Sequence, residues 1–359
     1  MIPENVEEEL LAECHLAGVR AATQDEHANS PAVRESLVAF KFGGSSLLGA
    51  ERMLHAAGIV RPAAQLMQVV VVVSAMKGVT DRLLGIAQVL GERKHERARS
   101  EAESVLRLHL DVLSDLALDS DEHDRVAHDL TSLGRDLLYE VSARRDGVSA
   151  ATAAELFDRL ASFGERFSAR LFAAALERSG VPAVPVSSSE FVLTCDTFRD
   201  AKPHLEQSKQ RGRDILLPLL ADGVVPVVTG FIGATPDGRI TTLGRNSSDF
   251  SGAIIAHVVD ADELVIWTDV DGIYTANPKE SVQARLLHDL SYEDAQALAL
   301  SGAKVLHPHV LPLAEETEMT VWVRNTFKPH VRGTRIGPVG AQPASAGRHC
   351  CALVSKEPA

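Results

Sequence analysis

Residues 229–249 read Thr-Gly-Phe-Ile-Gly-Ala-Thr-Pro-Asp-Gly-Arg-Ile-Thr-Thr-Leu-Gly-Arg-Asn-Ser-Ser-Asp, and residues 267–279 read Trp-Thr-Asp-Val-Asp-Gly-Ile-Tyr-Thr-Ala-Asn-Pro-Lys. An apolar strand, Val224 to Thr229, enters the first run and ends in a glycine turn. Thr235-Pro236-Asp237-Gly238 has the residues of a tight hairpin turn. A second small-residue turn, Leu243 to Ser248, leads to Asp249 at a helix start, where backbone amides attract anions. Arg245 is the one arginine inside that turn. A buried strand, Glu263 to Trp267, then exits at once into Thr268-Asp269-Val270-Asp271-Gly272. Two strands with polar, glycine-rich exits put two ligand-facing loops on one edge of a parallel sheet, the edge at which open α/β sheets bind ligands. A strand–turn–helix of an ordinary α/β domain would account for the same pattern without a site.

The bulk properties narrow the possibilities. A chain of 359 residues with 45% hydrophobic residues can bury a sizeable core in one large domain or two medium ones. Net charge is −13 with no basic run, so nucleic acid is an unsuitable partner. In an acidic protein that handles anions, single Lys and Arg residues in glycine-rich loops become informative. Cys14, Cys195, Cys350 and Cys351 show neither metal-ligand spacing nor a disulfide framework. Neither a signal-like segment nor a membrane-length apolar run is evident, so the expected setting is the reducing cytoplasm.

Along the chain, residues 1–35 read as a poorly ordered extension. Leu37 to Phe40 is a short apolar strand running into Lys41-Phe42-Gly43-Gly44-Ser45-Ser46. Glycines let a backbone approach an anion closely, so strand, glycines, hydroxyls and helix form a phosphate-cradle pattern. It is not a Walker A loop, because the lysine precedes the glycines. Val69 to Val73 is five consecutive valines, a strand buried on both faces as in a parallel sheet. It exits into Ser74-Ala75-Met76-Lys77-Gly78-Val79-Thr80-Asp81, where Thr80-Asp81 also suits a helix N-cap. Residues 82–180 are helical by periodicity, with a charged, solvated face at 91–101. His123 and His128 among acids fit a solvated face better than a metal site. Ser162-Phe163-Gly164-Glu165 interrupts that helical stretch with a glycine. Ala183 to Ser187 and Val321 to Arg324 read as strands, Pro203 to Ala221 as a helix, and Ser291 to Asp294 as a capping box.

Taken together these motifs resemble the amino-acid kinase superfamily, and aspartokinases in particular. Those enzymes carry Lys-Phe-Gly-Gly-Thr-Ser, here with Ser45 for Thr, and a Ser-Ala…Thr-Asp strand exit. They also carry Ser-x-Gly-Glu, Thr-Thr-Leu-Gly-Arg-Gly-Gly-Ser-Asp, Trp-Thr-Asp-Val-Asp-Gly-Ile-Tyr-Thr and Gly-Ala-Lys-Val-Leu-His-Pro, the last matching residues 302–308. Their closing Pro-Gly-Thr-x-Ile is similar to Arg332-Gly333-Thr334-Arg335-Ile336. The resemblance implies an α/β fold, a three-layer αβα sandwich on a mainly parallel sheet, over residues 36–340. An amino-acid lobe would span about 36–205 and a nucleotide lobe about 206–340, with a tail at 341–359. It implies ATP as co-substrate, Mg²⁺ on the phosphates, and L-aspartate as acceptor.

The same resemblance implies the roles. Lys41 and Lys304 would bracket the phosphates, and Gly43, Gly44 and Ser45 would line them. Asp249 would orient Lys41. Arg245 would clamp the substrate carboxylate, a shape that a planar two-pronged donor matches. Glu165 would hold the ammonium, and Ser74, Thr80, Phe231 and Ser248 would complete the amino-acid pocket. Thr268, Asp269, Tyr274 and Lys279 would hold the adenosine. Phosphoryl transfer to a carboxylate needs no general base, since the nucleophile is already ionised, so cations and positioning must do the catalysis.

Two departures from the pattern stand out. Asn246-Ser247 replaces the two glycines between Arg and Ser, which leaves another small carboxylate or carbamate open as substrate, and a weakly active partner subunit as a further alternative. Aspartokinases usually continue into paired ACT domains; Cys351 to Ser355 looks like the start of such a strand and the chain ends there, so ACT-mediated feedback and assembly are not expected, though a homo-oligomer built otherwise is compatible.

Overall fold

The valine run sets the layering. Successive strand residues point to opposite faces, and Val69, Val71 and Val73 enter one apolar core while Val70 and Val72 enter another. The computed structural model describes residues 36–143, 150–245, 247–276, 278, 281–300 and 306–338. Strands β1 (Leu37–Phe42) and β2 (Gln68–Val73) are joined by a 3₁₀ turn, Gly44–Leu47, and helix α1 (Ala50–Ala64). Helices α2 (Val79–Gly91), α3 (His95–Asp115), α4 (Ser120–Ser142) and α5 (Ala150–Arg178) follow before β3 (Ala183–Val186). Helix α6 (Leu205–Ala221) leads to β4 (Val225–Thr229), then to a hairpin of β5 (Ile232–Ala234) and β6 (Ile240–Thr242). Helix α7 (Ser248–Val259) and β7 (Glu263–Thr268) come next, then β8 (Ile273–Tyr274), β9 (Leu286–Leu287), β10 (Asp289–Leu290), α8 (Tyr292–Leu300), α9 (Val310–Glu316), β11 (Thr320–Asn325) and β12 (Thr334–Ile336).

Eight strands form the main sheet in the order β10-β12-β11-β7-β1-β2-β4-β3. From β11 to β3 every neighbour is parallel; β12 is antiparallel to β11, and β10 pairs parallel with β12. One face carries Phe40, Phe42, Val71 and Trp267 against α1 to α5. The other carries Ala39, Val72, Leu264 and Val323 against α6 to α9. The result is the three-layer αβα sandwich on a mainly parallel sheet. Helix α7 is buried almost all round, as a helix packed on several sides must be. No described helix is long and apolar enough to cross a membrane.

The layering also positions the ligand edge. Because β1, β2, β4 and β7 are parallel, their C-terminal ends meet on one rim. Phe42 stands beside Val73 on one side and Trp267 on the other, and Val73 stands beside Thr229. The chain leaves β1 for β2 on one side and later returns to β7 on the other, a reversal of strand order that opens a crevice at the strand ends. The sheet is continuous across residue 205, and β4 from the second half of the chain is inserted between β2 and β3 of the first.

Local expectations fare unevenly. The hairpin turn forms as read, with Gly238 at φ +84° and its amide donating to the Thr235 carbonyl at 2.8 Å. The capping box at Ser291 also forms, the Asp294 amide donating to Ser291 Oγ at 3.0 Å. Thr80-Asp81 does not cap α2: Gly78, at φ +87°, is the N-cap, and Thr80 and Asp81 lie in the first turn. A left-handed residue is needed where the β2 exit bends into the helix, and glycine adopts it without a Cβ clash. The charged stretch 91–101 is not one helix face but a break after Gly91, where Arg93 at φ +59° turns the chain into α3.

Candidate active site

Lys41 is the cation at the centre of the rim. It belongs to β1, so its side chain faces α7, and Gly252 lets that helix come close: a Cβ there would lie 3.1 Å from Lys41 Cβ and 3.3 Å from Cγ. Asp249, one turn earlier on α7, meets Lys41 Nζ through Oδ1 at 2.6 Å, with the two side chains 6% and 21% exposed. The pair couples the end of β1 to a helix N-terminus, so a cation and a set of backbone amides face the same crevice. Gly43 follows directly, its amide donating to the Trp267 carbonyl at 3.2 Å. Gly44 is obligatory for packing, because a Cβ would lie 2.5 Å from the Ala75 carbonyl oxygen. Ser45 is half-buried in the 3₁₀ turn, and its carbonyl accepts from Arg52 Nη1 at 2.7 Å.

The β2 exit is the second wall. Ala75 donates its amide to Glu165 Oε1 at 3.1 Å, and Met76 donates to Ser168 Oγ at 3.2 Å. The reading of Ser162–Glu165 as an interruption of the helical stretch is corrected here: Glu165 lies in the middle of α5, a helix of 29 residues. Gly164 does not break that helix. It lets α5 press on the strand exit, where a Cβ would sit 2.7 Å from Ala75 Cβ. Glu165 is 3% exposed, and burial pushes its carboxyl up to about 8. Among the described residues its Oε2 has no hydrogen-bond partner, and neither has the buried Oγ of Ser74. Two unpartnered buried oxygens at one strand exit are costly unless a ligand completes them.

The third wall is the β4 exit with the turn before α7. Phe231 adopts φ +68°, a left-handed conformation uncommon for a bulky residue and held only where its surroundings enforce it. Its amide donates to Ser251 Oγ at 2.7 Å, and its carbonyl accepts from the Leu243 amide at 3.0 Å. Gly230 brings this exit against Ser248, whose Cβ would be 3.6 Å from a Cβ at residue 230. Arg245 reaches across to the start of α2, its Nη2 meeting Asp81 Oδ1 at 3.0 Å beside Thr80, with both side chains largely exposed. An exposed pair of this kind is weak, so a carboxylate arriving nearby can compete for the guanidinium. Ser247 is fully buried and spends its hydroxyl on the Gly244 carbonyl at 2.7 Å, inside the turn. Asn246, Lys279 and Lys304 lie outside the described residues, as do Cys350 and Cys351.

The model of the amino acid kinase family matches residues 36–325. The chain belongs to the amino acid kinase family. Lysine-sensitive aspartokinase 3 of Escherichia coli (strain K12) is 32% identical over 302 residues, covering 84% of this chain and 64% of that protein. Aspartokinase 3, chloroplastic, of Arabidopsis thaliana is 33% identical over 303 residues, covering 82% of this chain and 52% of that protein. The chain thus spans about half to two thirds of the length of these relatives. The crystal structure of E. coli aspartokinase III in complex with aspartate and ADP superposes with a TM-score of 0.75 at 30% identity, over 86% of this chain and 66% of that one.

In this amino acid kinase the β7 exit joins Thr268, Asp269 and Tyr274, which the motifs named, to Asp271, Asn325, Thr326 and Lys328, to which they gave no role. Thr268 Oγ1 donates to Asp269 Oδ1 at 3.2 Å on the exposed rim. Tyr274 donates its hydroxyl to Asp271 Oδ2 at 3.3 Å. Asp271 also takes the Asn325 side-chain amide and Lys328 Nζ, the latter at 3.0 Å. Burial alone would raise the Asp271 carboxyl, yet Asn325 and Lys328 hold it below its usual range. Burial, followed by the charge on Asp271, raises the Tyr274 phenol. Thr326 ties this exit to the glycine loop, its Oγ1 lying 2.7 Å from Ser46 Oγ and its carbonyl 2.6 Å from His55 Nε2. The sequence signal for these anchors was Asn325-Thr326 at the end of the last parallel strand, a position that readily contributes to a rim.

Proposed function

We propose that this amino acid kinase transfers the γ-phosphoryl group of ATP to the side-chain carboxylate of L-aspartate, giving 4-phospho-L-aspartate. The observation that carries the reading is Glu165: a buried carboxyl, held by the Ala75 amide, with its second oxygen unpartnered among the described residues, as is the hydroxyl of Ser74, the residue before Ala75. An ammonium supplies several donors and a positive charge, so an amino acid is the acceptor that completes both oxygens. The E. coli relative solved with aspartate and ADP supports the choice of amino acid and of an adenine nucleotide.

In this reading Glu165 and Ser74 hold the α-ammonium, Arg245 releases Asp81 to clamp a substrate carboxylate, and Thr80, Phe231 and Ser248 close the pocket. Lys41, oriented by Asp249, faces the transferring phosphoryl group, with the Gly43–Ser45 turn and the α7 N-terminus supplying amides. Lys304 is assigned to the phosphates, and Thr268, Asp269, Tyr274 and Lys279 to the nucleoside. The division into an amino-acid lobe of about 36–205 and a nucleotide lobe of about 206–340 is thus shared rather than strict: Phe231, Arg245 and Ser248 serve the acceptor, and Lys41 and Gly43–Ser45 the phosphates. The acceptor carboxylate is already charged, so these residues lower the barrier by neutralising and aligning rather than by moving a proton. Among the described residues no three His, Cys, Asp or Glu converge as a metal site. Mg²⁺ fits as an ion held chiefly by phosphate oxygens, and it would supply charge neutralisation there.

The test is ATP-dependent hydroxamate formation in Mg²⁺ and hydroxylamine, which traps an acyl phosphate, with L-aspartate offered beside glutamate, N-acetylglutamate and D-aspartate. A signal with L-aspartate that falls at least about 100-fold in Lys41→Ala and Asp249→Ala is expected. No signal with L-aspartate from folded protein that binds ATP would overturn the substrate. A signal with another acid would assign the pocket to Asn246, because Ser247 has already used its hydroxyl within the turn.

A further inference from the structure

Helix α5 offers more than Glu165 to the rim. Asp158 lies seven residues before it, on the same helical face and about 10.5 Å along the axis. Asp158 is 1% exposed. Its Oδ2 accepts the amide of Thr242 at 2.9 Å and the amide of Arg199 at 2.8 Å, and its Oδ1 accepts the Thr242 hydroxyl at 2.7 Å. Three donors converge on one acceptor-only group. An asparagine would have to turn its NH₂ toward one of them.

Those donors belong to the segments that carry the Arg245 turn. Thr242 ends β6, and its carbonyl accepts the Ala201 amide at 2.9 Å. Leu243 bonds to the strained Phe231, and Gly244 follows at φ +91°. Arg199 is itself left-handed, at φ +72°, and its amide is one of the bonds Asp158 accepts. Among the described residues the Arg245 side chain is fastened by the exposed pair with Asp81 alone, so the position of the guanidinium depends on where its backbone leaves β6.

We propose that Asp158 is a positioning residue. Through Thr242 it sets the Leu243–Arg245 segment at a fixed distance from Glu165, so that one face of one helix gauges both ends of the acceptor, ammonium and carboxylate. This rests on the reading of the site as an amino-acid pocket. A residue that only held the fold together would weaken nucleotide and acceptor sites alike. A gauge for the acceptor pocket affects the acceptor alone.

The test uses Asp158→Asn, Thr242→Val and Thr242→Ser. In Asp158→Asn and Thr242→Val the KM for L-aspartate should rise at least tenfold while the KM for ATP stays within twofold. Thr242→Ser, which keeps the hydroxyl, should match the wild type on both. Hydrogen exchange of the Thr242 and Arg199 amides should quicken at least tenfold in Asp158→Asn, with the Val70–Val73 amides unchanged. Parallel rises in both KM values, or Thr242→Ser as impaired as Thr242→Val, would overturn the proposal, as would unchanged Thr242 exchange. If Asp158→Asn does not fold, the two Thr242 variants still decide. Wild-type protein inactive on L-aspartate would fail the substrate reading instead, and the exchange rates, which need no turnover, would still accept or reject the clamp.

Discussion

The two sides of the crevice are built on opposite principles. On the β2 side, Glu165 and Ser74 are buried and each leaves an oxygen without a partner among the described residues. On the β7 side, Asp271 is more open and has three partners in Tyr274, Asn325 and Lys328. A buried polar atom left open stores a desolvation cost that a matching ligand relieves, which is why the proposed function gives the β2 side the small charged group. A fully satisfied network fixes backbone and leaves peptide groups and exposed side chains to do the binding, which suits a larger ligand lying along the rim. The difference is between a site completed by its ligand and a site completed in advance.

The largest effect expected from breaking this contrast is in Glu165→Gln. It should raise the KM for L-aspartate at least about 100-fold, the range for removing a charged partner of a buried ion, with ATP affinity within twofold. The same change should stabilise the free protein at alkaline pH. The Glu165 carboxyl is raised to about 8, so its contribution is fully present below the ordinary value of 4.5 and is lost as pH rises through 8. Thermal melts should therefore coincide for the two proteins near pH 4.5 and diverge in favour of the variant by pH 9, by an amount on the order of a few kcal/mol. Coincident melts at pH 9 would contradict a neutral, ligand-seeking carboxyl.

On the satisfied side, Asn325→Ala should act through geometry alone. It removes one partner of Asp271, so the KM for ATP should rise about three- to tenfold, with the KM for L-aspartate nearly unchanged and a stability loss of about 1–3 kcal/mol. A larger effect on the amino acid than on ATP would reverse the proposed division of the rim. The smallest and sharpest signal is proton release. An ammonium arriving beside neutral Glu165 favours its ionised form, so binding of L-aspartate near pH 7 should release close to one proton, and little by pH 9, where Glu165 is already ionised and the ligand still carries its ammonium. Calorimetry in buffers of different ionisation enthalpy reads that number directly, and no release at pH 7 would mean that the carboxyl is already charged.

What was legible in the sequence follows from range. Glycine loops, the hairpin turn and the valine run are local, and each formed where its residues stand. The Lys41–Asp249 pair joins groups 208 residues apart, yet both sit at strand or helix ends whose meeting a parallel sheet enforces. Thr80 was misplaced because the left-handed bend from β2 into α2 falls on Gly78, two residues earlier, where no Cβ opposes it. Glu165 looked like a loop residue because Gly164 signals a break unless the packing partner, Ala75, is known. Asp158 was invisible: nothing in Leu156-Phe157-Asp158-Arg159 foretells that Thr242, 84 residues later, will need an acceptor.

The run Val69–Val73 has a consequence for folding. Five identical residues give no internal landmark: shifted by one or two places, the strand would still offer valine to both cores and to both neighbouring strands. What distinguishes one alignment from the next must lie just beyond the run, where Ala75 and Met76 donate to Glu165 and Ser168, and Lys77 donates to the Gly44 carbonyl at 3.1 Å. The carboxyl assigned to the substrate thereby also marks the register of the strand beside it, so the chain aligns its most ambiguous strand with a residue of its own pocket.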